Sequence, residues 1–132
     1  MFNHFVANFL IYKKSLKLYQ LAPNAKIIIE DNHIAVDKVK EMNADKIIIS
    51  PCPGHPKYDT GTVIPIIKEF YNKVPILSIC LGHQAIVEAF GEDGDIEYVG
   101  RTKEGPMHGK ESKVFHDQET ILKNVPNSLA SN

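Results

Sequence analysis

Cysteine is scarce in this chain, and its scarcity excludes several kinds of protein. The two cysteines in 132 residues stand at unrelated spacing, so neither a disulfide framework nor a zinc motif can be built. A reducing compartment, the cytoplasm, is the expected location. Six histidines add no ligand spacing, and no metal is expected. An excess of charge is also missing. Fifteen basic against sixteen acidic residues leave a formal net charge of -1, with the lysines scattered, so nothing marks a nucleic-acid or anionic-membrane partner. Long hydrophobic runs are absent as well. The N-terminal stretch Met1 to Leu21 is interrupted by Lys13, Lys14 and Lys17 and has no small-residue cleavage site, so it reads as neither signal peptide nor membrane span. The length suits one domain, 1–132, able to bury roughly two-thirds of its unfolded surface.

The most informative stretch runs from Val74 to Phe90. Residues 74–79 form a short apolar run of the kind found in a strand buried on both faces. After Gly82 the period changes, and Ala85, Ile86, Ala89 and Phe90 recur at three- and four-residue spacing on one helix face. Cys80 therefore sits at a strand-to-helix turn, flanked two places away by Ser78 and Gly82. Small flanks suit a tight elbow that presents a nucleophile. A thiol at a helix start meets unpaired N–H groups and the positive end of the dipole, which favour the reactive thiolate. The same N–H groups suit a developing oxyanion. A buried, inert cysteine is the competing reading.

Strands and helices alternate along the rest of the chain. Residues 4–20 read as an amphipathic helix from Phe5, Val6, Phe9, Leu10, Leu16 and Tyr19. A β-branched strand follows at 25–30, then a helix through Ile34, Val36, Val39 and Met42 capped by Asp31 or Asn32. A second such strand spans 45–49. Next come a Pro- and Gly-rich loop from Ser50 to Thr62 and a helix over 63–72. This order predicts an α/β fold with a three-layer, flavodoxin-like, mostly parallel sheet and helices on both faces. Sites in such folds form at the carboxyl ends of strands, where the Cys80 turn and the loop from Ser50 would meet. Beyond Phe90, short strands at 95–99 and 112–116 suggest an antiparallel edge extension, and residues 124–132 carry no element.

Three segments together resemble class I glutamine amidotransferases, closest to the small, glutaminase subunit of anthranilate synthase and of aminodeoxychorismate synthase. They are Ser50-Pro51-Cys52-Pro53-Gly54, Cys80-Leu81-Gly82-His83-Gln84 and Met107-His108-Gly109-Lys110. The resemblance implies that Cys80 attacks the side-chain amide of glutamine, forms a glutamyl thioester and releases ammonia. It implies an oxyanion hole from the backbone N–H groups of Leu81 and Cys52, and contacts of Gly54 and Gln84 with the amino-acid end of glutamine. Met107, His108, Gly109 and Lys110 would face a chorismate-using large subunit in tryptophan biosynthesis or, alternatively, in the folate pathway. No cofactor is implied, and His83 is not the base of this family.

The chain also departs from the family pattern. Cys52 stands where the family has glycine, which tolerates positive φ more easily. Ser78 stands where glycine is usual. Asn3-His4-Phe5-Val6 matches the start of the family's first helix, so the first parallel strand is expected to be missing. The chain ends before the family's catalytic histidine and glutamate, and His108 and His116 match non-catalytic positions. The fold is therefore expected to be an amidotransferase domain incomplete at both ends. Three readings stay open: a glutaminase subunit, a non-catalytic partner-binding subunit, and a gene fragment.

Overall fold

Isoleucine runs that leave water must satisfy their backbone groups in a ladder, and here they pair around one central strand. The computed structural model describes residues 4–8, 18–50, 54–91, 99–100, 112–127 and 129–131. In chain order its first unit contains β1 (His4–Asn8), β2 (Lys26–Glu30), α1 (Val36–Glu41), β3 (Lys46–Ile49), α2 (Val63–Phe70), β4 (Ile76–Ser78) and α3 (Leu81–Phe90). All four strands are parallel, in the order β2-β1-β3-β4. That is the start of the flavodoxin-like order 2-1-3-4-5, whose crevice opens at the carboxyl ends of the strands.

Two expectations for the N-terminus are corrected. Residues 4–8 are a strand and not the start of a helix, and the first parallel strand is present. β1 pairs with β2 from His4↔Lys26 to Asn8↔Glu30, and with β3 from Phe5↔Lys46 to Asn8↔Ile49. Hydrogen-bonding on both edges outweighs the helical spacing of Phe5 and Val6, because a short apolar run fits a buried strand as well as a helix. Of the expected helix, residues 18–21 are helical, while 9–17 lie outside the described residues.

Ile47 and Ile49 of β3 share one core with Ile34, with Val39 of α1, with Val63, Ile66, Ile67 and Phe70 of α2, and with Ala85 and Ala89 of α3. Each such large side chain contributes about 1.5–3 kcal/mol relative to exposure. α2 buries positions 63, 66, 67 and 70, the three- and four-residue spacing that its sequence shows. β4 differs from the expected doubly buried strand, since Leu77 is 41% and Ile79 40% exposed. It is an edge strand among the described residues, paired on one side with β3.

α1 begins later than expected. Its N-cap is Ala35, with no side-chain cap, because Asp31 and Asn32 are used elsewhere: Asp31 Oδ1 accepts from the His33 N–H at 2.7 Å. Lys40 of α1 reaches Asp37 at 3.3 Å and Glu69 of α2 at 3.5 Å, and Lys73 also bonds Glu69. One carboxylate thus ties α1 to α2 and to the turn after α2.

The second unit, Gly100–Asn132, holds β5 (Ser112–Val114), a single 3₁₀ turn (Thr120–Leu122) and β6 (Leu129–Ser131). β5 and β6 pair antiparallel in a two-stranded sheet. β6 corrects the expectation that 124–132 carries no element. A side-chain clamp holds this ribbon: Asn127 accepts from the His116 N–H at 3.1 Å and donates to the His116 carbonyl at 2.9 Å. The imidazole takes the Gln118 N–H on Nδ1 and lies 3.2 Å from the Pro126 carbonyl on Nε2. Of the expected strand at 95–99, residues 95–98 lie outside the described residues, as does the segment Met107 to Lys110, and Val99 is not in a strand.

The Lys73 hydrogen bond, with the nearby Lys40 charge, holds the Glu69 carboxyl below its ordinary 4.5, against desolvation that acts the other way. A depressed folded value stabilises the fold above the unfolded value and is lost as pH falls through the folded one. Glu69→Gln should therefore lower Tm slightly at pH 7 and flatten its decline below about pH 4.5. Parallel Tm-against-pH curves for the two proteins would refute this role.

Candidate functional site

Parallel strands β3 and β4 end side by side, and both candidate segments begin there. Ile49 is the register partner of Ser78, and the Ile79 N–H donates to the Ile49 carbonyl at 3.0 Å. The chain then turns at Cys80 and enters α3 at Leu81. Cys80 is exposed and reduced, with φ 57° and ψ -115°. Such a conformation costs a non-glycine residue about 1–3 kcal/mol and persists only where its surroundings impose it. The elbow expected from the sequence is present.

Its surroundings explain the strain. The Gly82 N–H donates to the Ile79 carbonyl at 3.1 Å and the Gln84 N–H to the Cys80 carbonyl at 3.0 Å, so the turn is bonded on both sides of the cysteine. A Cβ on Gly82 would lie 2.6 Å from Ile49 Cγ2 and 2.9 Å from the Ile49 carbonyl oxygen. Glycine therefore lets the helix start rest directly on the end of β3. Leu81, 3% exposed, anchors the first turn by its side chain, while its N–H belongs to the first turn, where a helix supplies no acceptor of its own. This leaves a thiol on an exposed tip beside a backbone donor, an arrangement suited to attack on a carbonyl. His83 is exposed and Gln84 half-buried on the same first turn. Ser78, near the start of the turn, has a buried hydroxyl with no hydrogen-bond partner among the described residues, as does Ser50 after β3.

The loop after β3 is built around Asn32, which is 8% exposed. Its Nδ2 donates to the Asp59 carbonyl at 3.1 Å, and its own carbonyl accepts from the Thr62 N–H at 2.7 Å and the Thr62 hydroxyl at 2.9 Å. Gly61, at φ 56°, lies so close that a Cβ would stand 2.2 Å from the Asn32 carbonyl oxygen. Thr60 donates to the Pro56 carbonyl at 2.7 Å, and both residues are buried. Gly54, at φ 132°, sits against the Asp59 side chain.

The topology thus places Gly54, which follows β3, and Cys80, Leu81 and Gln84, which follow β4, at the carboxyl end of the same parallel sheet. Cys52, Met107, His108, Gly109 and Lys110 lie outside the described residues. Read along the chain, Asn32 suggests only a helix cap and Asp59 carries no signal. A polar residue just before a helix pattern signals a cap, and nothing local reports a partner 27 positions away.

Three substitutions test the elbow. Cys80→Gly should raise stability by about 1 kcal/mol by relieving the backbone, whereas Cys80→Ala, which keeps the Cβ, should not. Urea midpoints that change equally would show that the backbone is not strained. Gly82→Ala should cost about 1–3 kcal/mol, because α3 must retreat from Ile49.

Comparison with known proteins agrees with this geometry. Residues 5–131 match the family model described as glutamine amidotransferase class-I. The chain is 50% identical over 102 residues to anthranilate synthase component 2 of Methanocaldococcus jannaschii, covering 77% of this chain and 47% of that protein. It is 36% identical over 129 residues to anthranilate synthase component 2 of Cyanophora paradoxa, covering 96% and 63%. The bifunctional protein TrpGD of Thermotoga maritima is 33% identical over 131 residues, covering 98% and 20%. The chain thus spans about half, or less, of the length of most such relatives. A solved structure from Thermoplasma acidophilum, described as a GMP synthase subunit, superposes with TM-score 0.65 at 16% identity over 98% of this chain and 63% of that one, a likeness of fold. Elbow, sheet order and family match agree that the chain belongs to the class-I glutamine amidotransferases.

Proposed function

We propose that the chain is the nucleophile-bearing part of a glutaminase subunit that supplies ammonia to a chorismate-using partner in tryptophan biosynthesis. The strained, exposed Cys80 beside the Leu81 N–H carries this reading. The names of its relatives, anthranilate synthase component 2 among them, favour anthranilate over the folate-pathway product. The whole of 1–132 is taken as one amidotransferase domain.

In this reading the Cys80 thiolate attacks the amide carbon of glutamine. The Leu81 and Cys52 N–H groups hold the oxyanion. As the C–N bond breaks, nitrogen takes a proton and leaves as ammonia, and water then cleaves the thioester to glutamate, restoring the thiol. Gly54 and Gln84 hold the amino-acid end of the substrate. Met107, His108, Gly109 and Lys110 face the partner. A biosynthetic enzyme of this kind works in the cytoplasm, and no helix among the described residues is long and apolar enough to cross a membrane.

A second reading keeps partner binding without turnover. It is favoured by the histidines: His83 follows the elbow but is not the family's base, and both ring nitrogens of His116 are engaged in the β5–β6 ribbon. A glutaminase assay with and without a chorismate-using partner decides between them. Turnover that vanishes in Cys80→Ser supports the first reading. Binding without turnover supports the second, and neither binding nor turnover leaves a fragment without function.

The thiol itself can be tested alone. Iodoacetamide near pH 7 should alkylate Cys80 faster than Cys52, measured by peptide mapping. Equal or reversed rates would remove the case for an activated nucleophile.

A further inference from the structure

Asp59 is bonded to the Gly54 loop through two atoms and to Asn32 through a third. Its Oδ2 accepts from the His55 N–H at 2.6 Å, its own N–H donates to the His55 carbonyl at 2.9 Å, and its carbonyl accepts from buried Asn32 at 3.1 Å. The side chain also occupies the space beside Gly54, where a Cβ would stand 2.6 Å from Asp59 Cβ and 2.8 Å from its Oδ2. Peptide units are planar, so a carboxyl oxygen that fixes the His55 N–H also fixes the direction of the Gly54 carbonyl. With φ at 132°, Gly54 has mirror-region freedom that nothing in its own side chain restricts.

We infer that Asp59 is a positioning residue for the substrate: its carboxyl group sets the Gly54–His55 peptide so that Gly54 meets the amino-acid end of glutamine. The inference rests on the amidotransferase reading of Gly54. Asn32 holds Asp59 through the backbone, and Asp59 holds the peptide through its side chain. Orientation is therefore passed from the end of β2 to the loop after β3. Tyr58 and Thr60, on either side of Asp59, make no such bond to Gly54 or His55 through their side-chain oxygens among the described contacts.

The test uses two reagents on the full chain. The diazo-ketone analogue of glutamine, 6-diazo-5-oxo-L-norleucine, must bind before it alkylates Cys80, forming a thioether with loss of dinitrogen. Iodoacetamide reports the thiol without needing the substrate pocket. Asp59→Ala should raise the analogue concentration for half-maximal labelling about tenfold, as expected for loss of a charge-assisted hydrogen bond. The iodoacetamide rate should stay unchanged. Asp59→Asn keeps an acceptor oxygen at the same place and should restore most of the affinity.

Saturable labelling that Asp59→Ala leaves unaltered overturns the inference alone. Iodoacetamide and analogue rates that change together, with a lower Tm, assign Asp59 to stability and also overturn it. No saturable labelling of the unsubstituted chain overturns the glutaminase reading, and the inference with it.

Discussion

No side chain fits between the start of α3 and the end of β3, and the rest of the site depends on that close approach. Gly82 rests on Ile49, the Ile79 N–H is bonded to the Ile49 carbonyl, and the residue between them must reverse the chain in a single step. Cys80 takes the conformation that this demands, at φ 57°. The strain comes from packing. Ala85 and Ala89 draw α3 into the core shared with Ile47 and Ile49, and the burial of that core outweighs about 1–3 kcal/mol of backbone cost. The role proposed for Cys80 and the stability of the fold pull in opposite directions at one residue, and the core sets the balance.

The parts of this arrangement that are readable in the sequence are those whose cause is local. The isoleucine runs at 26–30 and 46–49, the 3.6 period of α2 and α3, and the small residues around Cys80 each state their role within a few positions. β1 is not readable in this way. Phe5 and Val6 suit a helix until β2 and β3 offer their edges, and those partners lie 22 and 41 residues further along, as His4↔Lys26 and Phe5↔Lys46. β6 has no pattern of its own and arises by pairing with β5. The start of α1 is hidden for a related reason, since Asn32 serves a distant loop and not the next helix.

Sequence departures from the family divide in the same way. Ser78 keeps the elbow small and brings a buried hydroxyl that has no partner among the described residues. Such a group costs about 1–3 kcal/mol, comparable to the strain at Cys80. Two adjacent costs at the end of β4 place this turn among the more expensive parts of the domain. It is held by its neighbours together with its own turn bonds, as a strained segment must be.

The two halves of the site are supported independently. The elbow is fixed by van der Waals contact with β3 and by its own turn bonds, whereas the Gly54 loop is fixed by polar contacts traced back to Asn32 at the end of β2. Apolar contact positions the proposed nucleophile, where a polar partner would compete for the thiol. Directional hydrogen bonds position the loop, where the orientation of peptide dipoles matters more than volume. Both supports stand on strands of one parallel sheet, β2 and β3 with β1 between them, so the distance between them is set by the sheet. That division lets the proposed nucleophile stay exposed and strained while the surface that would hold its substrate is built from relaxed, bonded backbone.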